Sequence, residues 1–150
     1  MSHHHVALEW ARSTPGFTYR TYNRDHEWRF GSGASVRASA AVEYLGDPAL
    51  INPEEALLAA IASCHMLSFL AVAARDGFVV DRYEDAAVCA LERNAHGLMA
   101  VTRADLRPRV TFSGPRRPDR AELERMHTEA HRGCFIAHSV RTQIVVTPSF

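Results

Sequence analysis

The chain lacks net charge: seventeen basic and seventeen acidic side chains cancel. Without a basic stripe it offers no footprint for nucleic acid, and without a polybasic cluster none for a membrane surface. It lacks an apolar N-terminal stretch of the secretory kind, and nothing resembles a transit sequence, so a cytoplasmic location is expected. It has only three cysteines in 150 residues. That count does not suggest a disulfide scaffold, and an odd number in a reducing compartment points to free thiols. Internal repeats, low-complexity segments and long linkers are missing too. A single domain over residues 1–150 is therefore expected, large enough to bury a core without a metal or disulfide. The composition, 47% hydrophobic and 23% charged, is that of an ordinary soluble globular protein.

What is present reads as an α+β chain. Val6, Leu8 and Trp10 alternate with Ala7 and Glu9, and Trp28 and Phe30 alternate with Glu27, Arg29 and Gly31. Gly31-Ser32-Gly33 supplies a turn and Ser35 to Ala41 a return strand, which together predict a meander. His3, His4 and His5 read as a tail. Adjacent histidines on an extended chain point in opposite directions, which disfavours a metal site there. Asn52-Pro53-Glu54-Glu55 is the strongest helix start. Asn52 fits the N-cap, Pro53 the first helical position and Glu55 a capping box. The helix should run to about Asp76 and stop at Gly77.

From Ala56 to Ala74 this helix carries only Ser63, His65 and Ser68 as polar residues. A helix apolar nearly all round must be covered on nearly all sides. A membrane span is the alternative by length, but the many small alanines, the central histidine and the surrounding strand patterns favour a buried central helix. In so short a chain, a second subunit is the natural cover. Beyond it, Val79 to Glu92 predicts a long strand, Asn94-Ala95-His96-Gly97 its hairpin turn, and Leu98 to Phe112 the return strand. Pro118 and Asp119 open a second helix ending near Gly133, with Leu123, Met126, His127 and Ala130 along one side. Ser139 to Thr147 predicts a final strand. The order is strands, buried helix, hairpin, helix, strand.

The residues able to do chemistry are few. Cys64 lies mid-helix, Cys134 follows the second helix, and Cys89 sits mid-strand. A lone cysteine is usually a small buried hydrophobe, and that reading is kept for Cys89. Asn52-Pro53-Glu54-Glu55-Ala56-Leu57-Leu58, followed by Ala62-Ser63-Cys64, resembles the Asn-Pro-Glu-x-Leu...Ala-x-Cys segment of the OsmC/Ohr family, the osmotically inducible and organic hydroperoxide resistance proteins. Ala130-His131-Arg132-Gly133-Cys134 resembles that family's Ala-His-x-x-Cys signature. The resemblance covers about Asn23 to Pro148.

The resemblance implies an OsmC-like fold, with antiparallel sheets around a long central helix in an intertwined homodimer. It implies a thiol peroxidase for organic hydroperoxides in oxidative stress defence, working without a cofactor or bound metal. Cys64 would be the peroxidatic thiol and Cys134 the resolving thiol. Arg24 would steady the thiolate, with Glu54 as its acidic partner. A dithiol, of which a lipoyl group is one candidate, would be the reductant. The chemistry fits these roles. A thiolate that cleaves a peroxide needs a nearby positive charge, and Cys64 sits too far into its helix to use the helix N-terminus. A guanidinium stays charged, and a second cysteine protects the sulfenic acid from overoxidation. Glu54 and Cys64 lie ten residues apart on one helix, roughly 15 Å along its axis, so Glu54 is expected to serve the Cys64 of the other subunit.

This chain also departs from the pattern. The family's second cysteine is often followed by Pro-x-Ser; here Phe135-Ile136-Ala137-His138 follows. His65 points about 100° from Cys64 on a helix and is expected to be a satisfied core or interface histidine; His131 is expected to pack. Met66, Leu67, Phe69, Phe135 and Ile136 could wall an apolar pocket, with core packing the competing role, favoured for Leu67 and Phe69. Two alternatives stay open. One is a non-catalytic OsmC-like protein binding an apolar ligand at the dimer interface. The other is a metal-binding protein using Cys64, His65, Cys134 and His131 or His138.

Overall fold

The computed structural model describes residues 1–149. Backbone contacts divide them into two units, one reaching to Ala56 and the other beginning at Leu57. The first unit is the expected meander. Strands β1 (Val6–Glu9), β2 (His26–Phe30) and β3 (Ser35–Ala38) pair antiparallel in the order β1-β2-β3. Gly33 turns the β2–β3 hairpin at φ +88°, a left-handed conformation that glycine adopts without steric cost. The long β1–β2 connection is pinned by Asn23. Its side chain accepts from the Ser13 amide at 2.9 Å and donates to the Ala11 carbonyl at 2.9 Å, while Trp10 Nε1 donates to its carbonyl at 2.7 Å.

Helix α1 (Pro53–Arg75) starts as its sequence predicts. The Asn52 side chain accepts from the Glu55 amide at 2.8 Å, and the Glu55 side chain accepts from the Asn52 amide at 3.1 Å, closing a capping box. Gly77, at φ +78°, ends it. Its own chain covers only one side of it. Within the chain only Ile61, His65, Phe69, Val72 and Ala73 are buried. That is one stripe at the spacing of a single helical face. By length and composition α1 could cross a membrane, but the stripe facing protein carries its histidine.

In the second unit the expected pair of long strands is broken in two. Strand β4 (Val79–Asp85) pairs with β7 (Pro108–Ser113), and β5 (Val88–Arg93) pairs with β6 (Met99–Leu106). The two ladders belong to different sheets. The switch falls at Arg107-Pro108, where proline has no amide to donate and the Asp85 side chain takes the Arg107 amide at 2.7 Å. Strand β8 (Gln143–Val146) adds parallel to β6. It is shorter than predicted, because Ala137–Ser139 form a 3-10 turn. Helix α2 (Arg120–Gly133) is capped by Asp119 and Glu122 in a second capping box. Its Leu123, Met126 and Ala130 pack with Phe69 and Val72 of α1, Phe78, and Phe112 of β7 to form the main core.

Candidate active site

Both cysteines singled out by the sequence lie in the second unit, and the structure brings them together. Cys64 occupies the half-buried flank of α1. Cys134 is the C-cap of α2, its amide bonded to the His131 carbonyl at 3.3 Å. The chain then turns back through the 3-10 turn, and the Ala137 amide donates to Cys134 Sγ at 3.4 Å. Cys134 is 1% exposed, and the Cys64 side chain is close enough to act on its thiol. Burial, and after it the neighbouring Cys64, pushes the Cys134 thiol up to about 11. Cys134 therefore keeps its proton at neutral pH. Cys89, half-buried, packs against the smaller core of Ile61, Ala104 and Leu106.

Cys64 opens on a cleft of about 1030 Å³. Its apolar wall includes Leu67, Val72, Phe135 and Ile136. Leu67 is 60% exposed, which corrects the core role favoured for it, whereas Phe69 is fully buried in the main core as favoured. Three guanidiniums reach the cleft: Arg75, Arg125 and Arg132. The first two are neutralised in a network with Asp76 and Glu129, at 2.5 to 3.0 Å. Arg132 forms no ion pair among the described residues. Sequence reasoning passed over Arg132; its place two residues before Cys134 was the available signal.

Arg24 and Glu54 lie in the first unit. Arg24 is 9% exposed. One of its terminal nitrogens donates to the Tyr22 carbonyl at 2.7 Å, and the other donates to the Tyr19 carbonyl. The guanidinium stands 4.0 Å from the centre of the Tyr22 ring. Glu54 Oε2 is buried without a hydrogen-bond partner. The expected Arg24–Glu54 ion pair does not form within the chain among the described residues: carbonyls and rings hold the guanidinium instead.

His65 is packed, but not fully satisfied as expected. Its Nε2 lies 3.1 Å from His127 Nδ1, with the rings 5.4 Å apart and nearly parallel. The remaining nitrogen of each ring has no partner. Burial, then repulsion from His131, pushes His65 down to about 4; burial, then repulsion from His65, pushes His127 down to about 4. Both are neutral at physiological pH, and one shared N–H joins them. His138 Nε2 faces the Arg132 carbonyl at 2.8 Å. Among the described residues, no group of three or more His, Cys, Asp or Glu side chains is placed to hold a metal ion, so the ligand set considered for a metal does not assemble.

Two helices packed on antiparallel ladders, with a thiol pair at the junction of α1 and the end of α2, define an α+β protein with a cysteine-pair site. A family model for OsmC-like proteins matches residues 46–149, and the chain belongs to that family. Among solved structures it is similar to an OsmC-like protein of unknown function from Vibrio cholerae O1 biovar eltor. The two are 42% identical, with 99% of this chain and 100% of that one covered and a TM-score of 0.96. It shares its fold with an organic hydroperoxide resistance protein OsmC from Legionella pneumophila, at 14% identity, 100% and 98% coverage and a TM-score of 0.77. The same holds for the organic hydroperoxide resistance protein OhrB of Bacillus subtilis, at 14% identity, 99% and 98% coverage and a TM-score of 0.70. No curated protein matches the chain.

Proposed function

We propose that this protein is a thiol peroxidase for organic hydroperoxides, with Cys64 as the attacking sulfur and Cys134 as the resolving one. The observation that carries this reading is the thiol pair: Cys134, buried and protonated, beside a Cys64 that opens on an apolar cleft. The Cys64 thiolate attacks the peroxide oxygen distal to the organic group. The O–O bond breaks, the organic alkoxide takes a proton and leaves as an alcohol, and Cys64 becomes a sulfenic acid. Cys134 then displaces the hydroxyl as water, forming the Cys64–Cys134 disulfide. A dithiol reductant, of which a lipoyl group is one candidate, reopens it by exchange and is itself oxidised to a disulfide. Apolar walls at Leu67, Phe135 and Ile136 suit an alkyl rather than a hydrogen peroxide substrate.

The reading includes a homodimer. The outward face of α1 presents Ala60, Ser63, Leu67, Ala71 and Ala74, all exposed, at spacings of three and four. A row of small and apolar residues lets a second copy of the same helix approach closely. Arg24 and Glu54 then enter as groups contributed to the Cys64 of the partner subunit.

Incubating the reduced protein with an alkyl hydroperoxide and a dithiol tests the assignment. Wild type is expected to turn over. Cys64→Ser should lose peroxide reduction, and Cys134→Ser should complete one turnover and then accumulate Cys64 sulfinic acid by mass spectrometry. Wild-type activity in Cys64→Ser, or peroxide-treated wild type with both thiols intact, would overturn it.

A further inference from the structure

A second cavity of the second unit, of about 350 Å³, lies between α2 and β8. Neither cysteine borders it. Ile144, Val146 and Pro148 give it an apolar wall. Across from them, α2 contributes His127, His131 and Arg132, which lie on one side of a helix at steps of four and five. Arg132 also borders the Cys64 cleft, so it stands between the two spaces, and it forms no ion pair among the described residues. Glu124 reaches the cavity as well, but Arg120 takes its carboxylate at 2.9 Å. The cavity therefore combines an apolar wall with an uncompensated guanidinium, and its volume is within the range of a small-molecule site.

The buried ring at this cavity has an unfilled position. His127 is 4% exposed, and its Nδ1 is turned to His65 Nε2 at 3.1 Å. That leaves the Nε2 side of the ring for the cavity, and Nε2 is buried without a hydrogen-bond partner. A buried polar atom left unmatched costs more than a made hydrogen bond returns. Two neutral imidazoles carry two N–H protons, and the contact between the rings uses one. The other must sit on His65 Nδ1 or on His127 Nε2, so the pair has two tautomeric arrangements. One offers the cavity an N–H donor and the other a lone pair. Anything negatively charged in the cavity selects the donor. A guanidinium prefers the same kind of partner, since its fork matches the two oxygens of a carboxylate.

We propose that the cavity between α2 and β8 is a binding site for a short-chain aliphatic carboxylate, its tail on Ile144, Val146 and Pro148 and its carboxylate held by Arg132 and His127 Nε2. The site does not depend on the thiol chemistry, because it contains neither cysteine and its occupancy is measured without peroxide.

The test is a titration of the isotope-labelled wild-type protein with hexanoate, followed by nuclear magnetic resonance. The methyl signals of Ile144 and Val146 should shift and saturate. Two-bond imidazole spectra of the saturated protein should show the His127 proton on Nε2. Hexanamide, the same shape without the charge, should bind at least about tenfold more weakly, the scale of a lost charge-assisted hydrogen bond. Arg132→Gln should bring hexanoate down to the level of hexanamide. Equal binding of hexanoate and hexanamide overturns the proposal. So does a saturated protein whose His127 Nε2 carries no proton. Hexanoate that moves the Leu67 methyls and leaves Ile144 and Val146 unmoved also overturns it, since the ligand then lies in the cleft beside Cys64. The hexanoate and hexanamide comparison needs no substitution, so it decides the question even if Arg132→Gln fails to fold.

Discussion

At the scale of single residues, the buried histidines make the sharpest prediction. His65 and His127 share one N–H across 3.1 Å, and His127 stacks on Phe69, the rings 4.3 Å apart. In the unfolded chain each takes a proton near 6.5, in the fold only near 4. Between those values the unfolded chain binds more protons, so stability rises with pH across that window. The contribution is complete above about 6.5, is lost as the pH falls toward 4, and changes no further below. The slope should approach about 1.4 kcal/mol per pH unit for each histidine that stays neutral. Urea unfolding near pH 7, 5.5 and 4.5 reads it directly. His127→Phe, which keeps an aromatic ring against Phe69, should reduce the slope to roughly that of one histidine. A wild-type stability that stays flat from pH 7 to 4.5 would show that the pair is not held neutral by burial. The sequence placed His127 on the inward side of α2 and His65 in the core, because helical spacing is local information. It could not show that the two rings meet, since that contact spans 62 residues. Arg132 was missed for the same reason: its relation to Cys64 exists only once α2 lies against α1.

At the scale of elements, legibility followed the range of the interaction. Both helix starts were readable because a capping box closes within four residues. Asp119 accepts from the Glu122 amide at 2.8 Å, and Glu122 accepts from the Asp119 amide at 3.1 Å. Asp119→Ala removes the side-chain acceptor and should cost about 1 kcal/mol, whereas Asp119→Asn, which keeps an acceptor, should cost less. Urea midpoints at unchanged slope distinguish the two, and an Ala variant as stable as wild type would mean that this cap contributes nothing measurable. The strands were less legible. Val79 to Glu92 looked continuous because alternation does not reveal a change of partner. Only pairing across the hairpin, Asp85 with Pro108 and Val88 with Asp105, shows where one ladder ends and the next begins. The parallel alignment of β8 with β6 was equally invisible, since register between distant strands is set by packing on a shared face. Cys134 was found through its motif, yet the replacement of Pro-x-Ser by Phe135-Ile136-Ala137 did not move its sulfur away from Cys64: the 3-10 turn returns an amide to it.

At the scale of the whole molecule, the incomplete burial of α1 becomes evidence about assembly. A helix whose sequence carries almost no polar residue buries one stripe against its own chain and leaves Leu67 60% exposed on the opposite side. Contiguous apolar surface of that kind marks an interaction site on a soluble protein. A two-fold pairing of α1 with α1 would place the same residue from both copies near the axis, so one substitution acts twice. Leu67→Glu introduces two like charges at that point. Light scattering should give wild type at twice the chain mass and Leu67→Glu at the chain mass, with helix content unchanged by circular dichroism. The thiol pair lies within one chain, so a diamide-type oxidant should still join Cys64 to Cys134 in the monomeric variant. Turnover with an alkyl hydroperoxide should fall at least about tenfold, because a guanidinium contributed by the partner would be lost, and the loss of a charge-assisted contact is of that size. A wild-type protein that remains monomeric at high micromolar concentration, or a monomeric variant with full turnover, would place the site within a single chain and remove the partner from the chemistry.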